Sequence, residues 1–375
     1  MHMLRRTAFF LVAALGFSPV LFANPSIQSI KGNFGPNEVI KISGAGFGHD
    51  GPQIILFEDF EDVKPGDTIP LSSPIIGEWS ASSHNPIAFD LGRSGNRSLM
   101  TGGGAARQLQ LSTPEYHTNI FVSYWVRLAP NTYFPGSNWP NGRHLETFPE
   151  DSAWKYAWLM EDNGHRHDDG KFDVAIVTYT GSSAHQHQSW SGNAARFSNR
   201  WIGSGWFNWN NWMRMSFTMR DPRDFPESPI GLTHIVSEGK NPLIVQHSSV
   251  DRIVTDAGYP RVNQLNVPGW VKNSGAEDVN PLYDDIYVAV GPGAAARVEL
   301  ADSITYEDAR HIELLITEAW SDSHLEVSVP RAVALLSGRS WFLFVTDAEG
   351  NRNASGIPIE VCSECPVSPD PIMVE

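Results

Sequence analysis

The side chains of this chain that can move a proton or hold an anion gather in its middle third. They are Tyr179, His185 with His187, Lys155, Arg143, Arg214 and Arg220. β-Elimination beside a uronate carboxylate needs a cation or amide to neutralise that carboxylate and acidify the C5 proton. It also needs a Tyr, His or Lys base and an acid for the departing oxygen. Tyr179 and His185 are the candidates for base and acid; Arg143, Lys155, Arg214 and Gln188 are the candidates to meet the carboxylate. Hydrolysis is less well provided for, because a retaining pair of carboxylates stands about 5–5.5 Å apart. Glu58-Asp-Phe-Glu61 comes closest in sequence, and Glu146 and Glu161 can pair only across strands.

Tryptophan marks the same region. Eleven of the 13 tryptophans lie between Trp79 and Trp270, and Trp201, Trp206, Trp209 and Trp212 crowd together. Aromatic faces stack on sugar rings while the indole N–H donates at the wet edge. The Gly-, Ser- and Asn-rich stretch holding Trp201, Trp206 and Trp209 reads as a loop, so these three form the expected glycan platform. Other tryptophans serve as core filler.

Short strands must position these groups. Apolar runs are brief, alternate with polar residues and stop at Gly, Pro, Asn or Asp, the pattern of an all-β protein. The clearest strands span 121–127, 155–161, 172–179, 212–220 and 283–290, with a hairpin turn at Asp168-Asp169-Gly170 and one helical turn within 306–312. In the fourth, Met213, Met215, Phe217 and Met219 share the core face; Arg214, Ser216, Thr218 and Arg220 share the other. In the second, Lys155 and Glu161 lie opposite Tyr156, Trp158 and Met160. Together these polar faces predict a basic, concave glycan groove, with Arg220 and Glu161 among its binding residues. A metal site among His144, His165, His167, His185 and His187 lacks a clear third ligand.

Composition bounds the partners. The net charge of −15 becomes −17 once Arg5 and Arg6 leave with an expected signal peptide at residues 1–23, whose apolar run is too short to span a membrane. Such a balance excludes nucleic acid, which needs a basic footprint. The expected location is therefore secreted or periplasmic, with a polysaccharide as partner and a monomeric state. Cys362 and Cys365, the sole cysteines, suit a local disulfide at the start of a Pro-rich tail, residues 362–375.

Two resemblances organise the whole. Ile40-Lys-Ile-Ser-Gly-Ala-Gly-Phe-Gly and Ala319-Trp-Ser-Asp-Ser-His-Leu-Glu-Val-Ser-Val-Pro resemble the two signatures of an IPT/TIG module, which is immunoglobulin-like; here 25–52 and 296–361 would be its halves. The intervening segment, 53–295, opens with Ile55-Leu-Phe-Glu-Asp-Phe-Glu-Asp and closes with Leu282-Tyr-Asp-Asp-Ile-Tyr-Val. These resemble the paired terminal strands of concanavalin-like and carbohydrate-binding jelly rolls. The resemblance implies a structural calcium ion held by Glu58, Asp59, Asp284 and Asp285, which offer hard oxygen ligands. Several polysaccharide lyase families use this fold, although the Arg-Thr-Glu-Leu-Arg strand of the alginate-lyase branch and the Glu-x-Asp-x-x-Glu strand of laminarinases are absent. The reading is thus a jelly-roll β-sandwich inserted into a small immunoglobulin-like β-sandwich. A polysaccharide lyase acting on an acidic glycan is the first function expected of it; a non-catalytic carbohydrate-binding or adhesion protein and a glycoside hydrolase are the alternatives.

Overall fold

The structure, a computed structural model, describes residues 24–93, 97–100, 107–130, 154–162, 172–178, 185–191, 195–203, 211–226, 228–229, 231–247, 261–271, 279–331, 339–361 and 372–373. In the strands at 172–178, 185–191 and 195–203 only the backbone is described. Among the described residues all regular structure is strand, apart from a 3-10 turn at Tyr306–Asp308.

Two antiparallel sheets make the jelly roll. One, the proximal sheet, runs Leu243–His247, Gly231–Ser237, Met213–Met219, Ile120–Pro130, Val279–Val290, Ser98–Met100, Ile87–Phe89; Gln53–Glu58 also pairs with Val279–Val290. The distal sheet runs Ala195–Gly203, His185–Ser191, Phe172–Thr178, Trp154–Met160, Val262–Val267, Gln108–His117, Ala81–Ser83, with Trp270–Val271 also on Trp154–Met160. As expected, the opening and closing strands of the segment lie side by side, Phe57 opposite Tyr287 and Glu58 opposite Ile286. Strand alternation sends every second residue inward. Val122, Tyr124, Val126, Met213, Met215 and Phe217 of one sheet meet Leu109, Leu111, Tyr156, Leu159, Leu265 and Val267 of the other. The Tyr283 hydroxyl crosses this core to donate to the Tyr156 carbonyl at 2.8 Å.

The strand Trp154–Met160 departs from the expected alternation. Its pairing with Phe172–Thr178 slips between Ala175 and Val177, so it carries one extra residue. Tyr156 and Leu159 therefore both enter the core, and Trp158 and Met160 fall on the face opposite Leu159.

The chain ends build the second sandwich. Ile357–Glu360, Ser340–Thr346 and Arg297–Ala301 pair in order with the first half of Ile312–Trp320. The second half of that strand pairs with His324–Ser328, which continues through Val39–Ala45 and Ser26–Lys31 to Ile372–Met373. Residues from both halves, Ile30, Ile40, Ile42, Leu325 and Val327 with Val298, Leu315, Trp341, Leu343 and Val345, close one core. The small immunoglobulin-like module is thus assembled from segments on either side of the jelly roll.

The outer face of the proximal sheet packs on this module. Phe57, Phe121, Tyr287 and Ala289 meet Ile316 and Leu314, and Val236 meets Tyr306, Ile312 and Phe344. Here the sequence-based expectation is corrected. The Arg214 face of Met213–Met219 does lie opposite the methionines, but it does not line a groove. Arg214 donates through Nε to Ser123 Oγ at 2.9 Å and pairs through Nη2 with Glu299 of the module at 2.8 Å. Both side chains are buried, at 2% and 1% exposure. Arg220 is buried under the module's Ala348 carbonyl. Burial, reinforced by Arg297, pulls the Arg220 guanidinium down to about 10. The physical reason is that a polar strand face can be neutralised by another domain as well as by water.

The two crossings between domains run back to back. A Cβ on Gly293 would collide with the Gly51 and Asp50 carbonyl oxygens, both backbone atoms that cannot swing aside. Gly293→Ala is therefore expected to destabilise the protein by about 2 kcal/mol, within the usual range for point substitutions, and a urea melt reads this directly. An unchanged midpoint would mean that the crossings separate freely.

Candidate functional site

With the outer face of the proximal sheet covered by the module, the other outward face of the jelly roll is that of the distal sheet. Two of its strands read as amide alternating with aliphatic: Gln108-Leu-Gln-Leu-Ser and Val262-Asn-Gln-Leu-Asn-Val. Leu109, Leu111 and Leu265 face the core, so Gln110, Gln264 and Asn266 take the other side. One row crosses the sheet as Ala81, Gln110, Asn266, Trp158, Ala175, Gln188 and Asn199. The next runs Ser112, Gln264, Met160, Asp173 and Trp190.

Gln264, Asn266 and Trp158 are each 7% exposed, so polar groups are buried on a face turned away from the core. Gln264 Nε2 donates to Asn266 Oδ1 at 3.0 Å, and Gln110 Nε2 to Ser112 Oγ at 2.8 Å. Gln108 Nε2 fixes the neighbouring turn through the Pro268 and Gly269 carbonyls, both at 2.7 Å. Carboxamides offer both donor and acceptor without charge, so a row of them can satisfy hydroxyl groups or a carboxylate, and an indole beside them offers an apolar face.

One end of this face carries charge. Glu161 accepts from Arg261 Nε at 2.8 Å and Nη2 at 2.7 Å, and the guanidinium stacks on the Tyr116 ring at 4.3 Å. Tyr116 in turn donates to Asp162 at 2.6 Å, and Asn263 and Asp162 exchange two further hydrogen bonds. The hydrogen bond to Asp162 pushes the Tyr116 phenol up, so it is held as a donor and is not poised as a base.

The residues expected from the sequence fall into three groups. Gln188 lies in the central row; Lys155, opposite Val177, lies one row further along, and Trp201 opposite Gln186. His185, opposite Thr178, alternates with Gln186 and Gln188 along its strand and so belongs to neither row. Glu161 sits at the charged end, engaged by Arg261. Tyr179, Arg143, Trp206, Trp209, the other histidines at 144, 165 and 167, and both cysteines lie outside the described residues. Arg214 and Arg220 belong to the opposite sheet, at the module. Gln110, Gln264 and Asn266 were not singled out from the sequence, although their alternation with aliphatic residues was a readable signal.

The carboxylates expected to hold calcium are taken up by protein donors. Glu58 accepts from the Phe60 N–H at 2.8 Å, from Ser73 Oγ and from Trp79 Nε1 at 3.4 Å. Burial pushes this carboxyl up to about 7 against those bonds. Asp59 accepts from the Glu61 N–H at 3.2 Å and faces Arg331 at 3.5 Å. Asp284 accepts from the N–H groups of Arg93 and Asp285, at 2.7 and 2.9 Å, and Asp285 pairs with the Arg93 guanidinium. Among the described residues no group of three or more His, Cys, Asp or Glu is arranged to hold a metal ion. This donor set does not fit a calcium ion, which wants six to eight oxygens converging on it.

No family model matches the chain, and no curated protein matches it. Solved structures of similar outline include the marine PL-14 alginate lyase from Aplysia kurodai, at 11% identity and TM-score 0.37 over 60% of this chain and 97% of that one. The cellulose-induced protein Cip1 aligns at 13% identity and TM-score 0.36, over 62% and 96%. The lectin UEA-II complexed with galactose aligns at 10% and 0.34, over 54% and 90%. At such scores these likenesses carry no weight for function, and the fold rests on the sheets described above.

Proposed function

We propose that the outer face of the distal sheet is a glycan groove and that the protein cleaves an acidic, uronate-containing polysaccharide by β-elimination. The observation that carries this reading is the group of carboxamides on this face, Gln264 and Asn266 buried and Gln110 half-buried, with Asn266 in register between Gln110 and Trp158. Carboxamide N–H groups neutralise a bound carboxylate as charge moves onto it, which acidifies the C5 proton. Gln188, placed in the same row by register, extends the set. A base, for which Tyr179 is the candidate, takes that proton. The C5–H electrons form the C4–C5 double bond, and the C4–O bond breaks as its oxygen collects a proton from a general acid, a part for which the register does not favour His185, since it alternates with Gln186 and Gln188. Lys155 and Arg143 supply positive charge, and Trp201, Trp206 and Trp209 a stacking platform. Arg214, Arg220 and Glu161 have no part in this scheme, being engaged elsewhere. The same reading has the chain exported by residues 1–23 and monomeric; among the described residues no helix is long and apolar enough to cross a membrane.

The test is incubation of the full chain with a panel of uronate polymers. Ultraviolet absorbance from unsaturated chain ends is the expected result, and Asn266→Ala is expected to lower turnover about 100-fold with an unchanged melting temperature. Retained glycan binding without unsaturated products or new reducing ends would make the groove a binding site only.

A further inference from the structure

The closing strand of the jelly roll is broken where it should be smoothest. Its pairing with Ile120–Pro130 slips between Asp284, opposite Trp125, and Tyr287, opposite Ser123, and Asp285 takes a left-handed conformation at φ 45°. The slip brings two consecutive carboxylates to one place, with Asp284 wholly buried and the Asp285 side chain 11% exposed. Buried neighbouring carboxylates are unfavourable without positive charge beside them. Arg93 is that charge. Its backbone N–H donates to Asp284, its Nε to Asp285 at 3.1 Å and its Nη2 to the same oxygen, while Nη1 reaches Glu313 of the module. Its Cζ lies 4.2 Å from the centre of the Trp125 ring. His311, which also bonds Glu313, is held between the Trp125 and Trp341 rings.

We infer that Arg93 is a built-in cation, filling at the junction of the terminal strands the role a divalent ion would otherwise fill, and at the same time tying that junction to the module through Glu313. A guanidinium suits this position because it is permanently charged, its planar fork serves two carboxylates at once, and its face stacks on an indole. Unlike a bound ion, no chelator removes it.

The experiment is thermal unfolding of the full chain and of Arg93→Met, each in chelator and in excess calcium chloride. Arg93→Met is expected to melt about 10 °C below the parent in chelator, since it leaves buried carboxylates uncompensated. Calcium is expected to raise the variant's melting temperature by more than it raises the parent's, because the vacated carboxylates become available to the ion. An equal calcium response in both proteins, or an unchanged melting temperature on losing Arg93, overturns the inference. Arg93→Lys, the milder change, keeps a charge but loses the fork, and it is judged by the same difference in calcium response should the methionine variant fail to fold.

Discussion

Replacing Glu299 with alanine is expected to cost about 3–5 kcal/mol of stability, the largest single effect among the polar residues, because it strands two buried guanidiniums. Glu299 receives Arg214 at 2.8 Å, Arg297 at 3.0 Å and the Tyr306 hydroxyl at 2.7 Å. Burial alone would push this carboxyl up, yet Arg297, Arg214 and Arg352 outweigh it and hold it well below the usual range, so it is charged at any working pH. Arg297 retains the Ala295 carbonyl and the Phe121 ring, but neither bears a negative charge. Urea midpoints of Glu299→Ala, Arg214→Ala and the double variant close a cycle in which the double change costs less than the sum. Strict additivity would mean that the two charges do not interact. The same variants settle what Arg214 does: its loss should lower stability while leaving turnover per folded molecule unchanged. A fall in turnover at an undisturbed melting temperature would return Arg214 to the chemistry.

Stability is expected to fall as the pH rises from about 4.5 to 7, through Glu58. Burial raises this carboxyl from 4.5 to about 7 in the folded chain. Below 4.5 the proton is bound in both states and the contribution is fully present. Above about 7 the folded protein must either hold a buried charge or give up the site, and about 3 kcal/mol is lost. Asp59, raised by burial to about 6, adds in the same direction. Glu313 acts in the opposite sense. Burial raises it, Arg93 and His311 overcome that, and the carboxyl rests at about 2, so its contribution is lost only as the pH drops below 4.5. The two windows meet near pH 4.5, which separates them experimentally. Glu58→Gln should flatten the upper slope and leave the lower one intact, as read from urea midpoints across the range. A variant with the parent's upper slope would place the titration elsewhere.

Much of the fold was legible because strand period is local. The alternation of methionines with Arg214, Ser216, Thr218 and Arg220 put the correct face in the core, and the Phe-Glu and Asp-Asp strands do lie side by side. What the sequence did not carry was the neighbour of each polar face. Arg214–Arg220 and Gln264–Asn266 have the same period-two signature, yet one meets a second domain and the other lies on the sheet turned away from it. The difference lies in Glu299, a single acid in a short strand of the module with nothing local to mark it. The extra residue in Trp154–Met160 was equally silent, since a bulge changes parity without changing composition. The guanidinium at Asp285 comes from a residue 192 positions away in sequence, beyond any spacing argument.

The interleaving of the module has a consequence in time. Its core joins Ile30 and Ile42, made early, to Trp341 and Val345, made some three hundred residues later. A chain emerging in order completes every described strand of the jelly roll before the module's last strands exist, so the inserted sandwich must collapse first, with Arg214 and Phe121 still wet. The first two strands meanwhile wait as an unpaired hairpin, too small to be stable alone. Covering of the proximal sheet is then the final event of maturation. A chain halted before Ser340 would present a buried arginine and an aromatic patch to solvent, the kind of surface by which quality-control proteases recognise unfinished products.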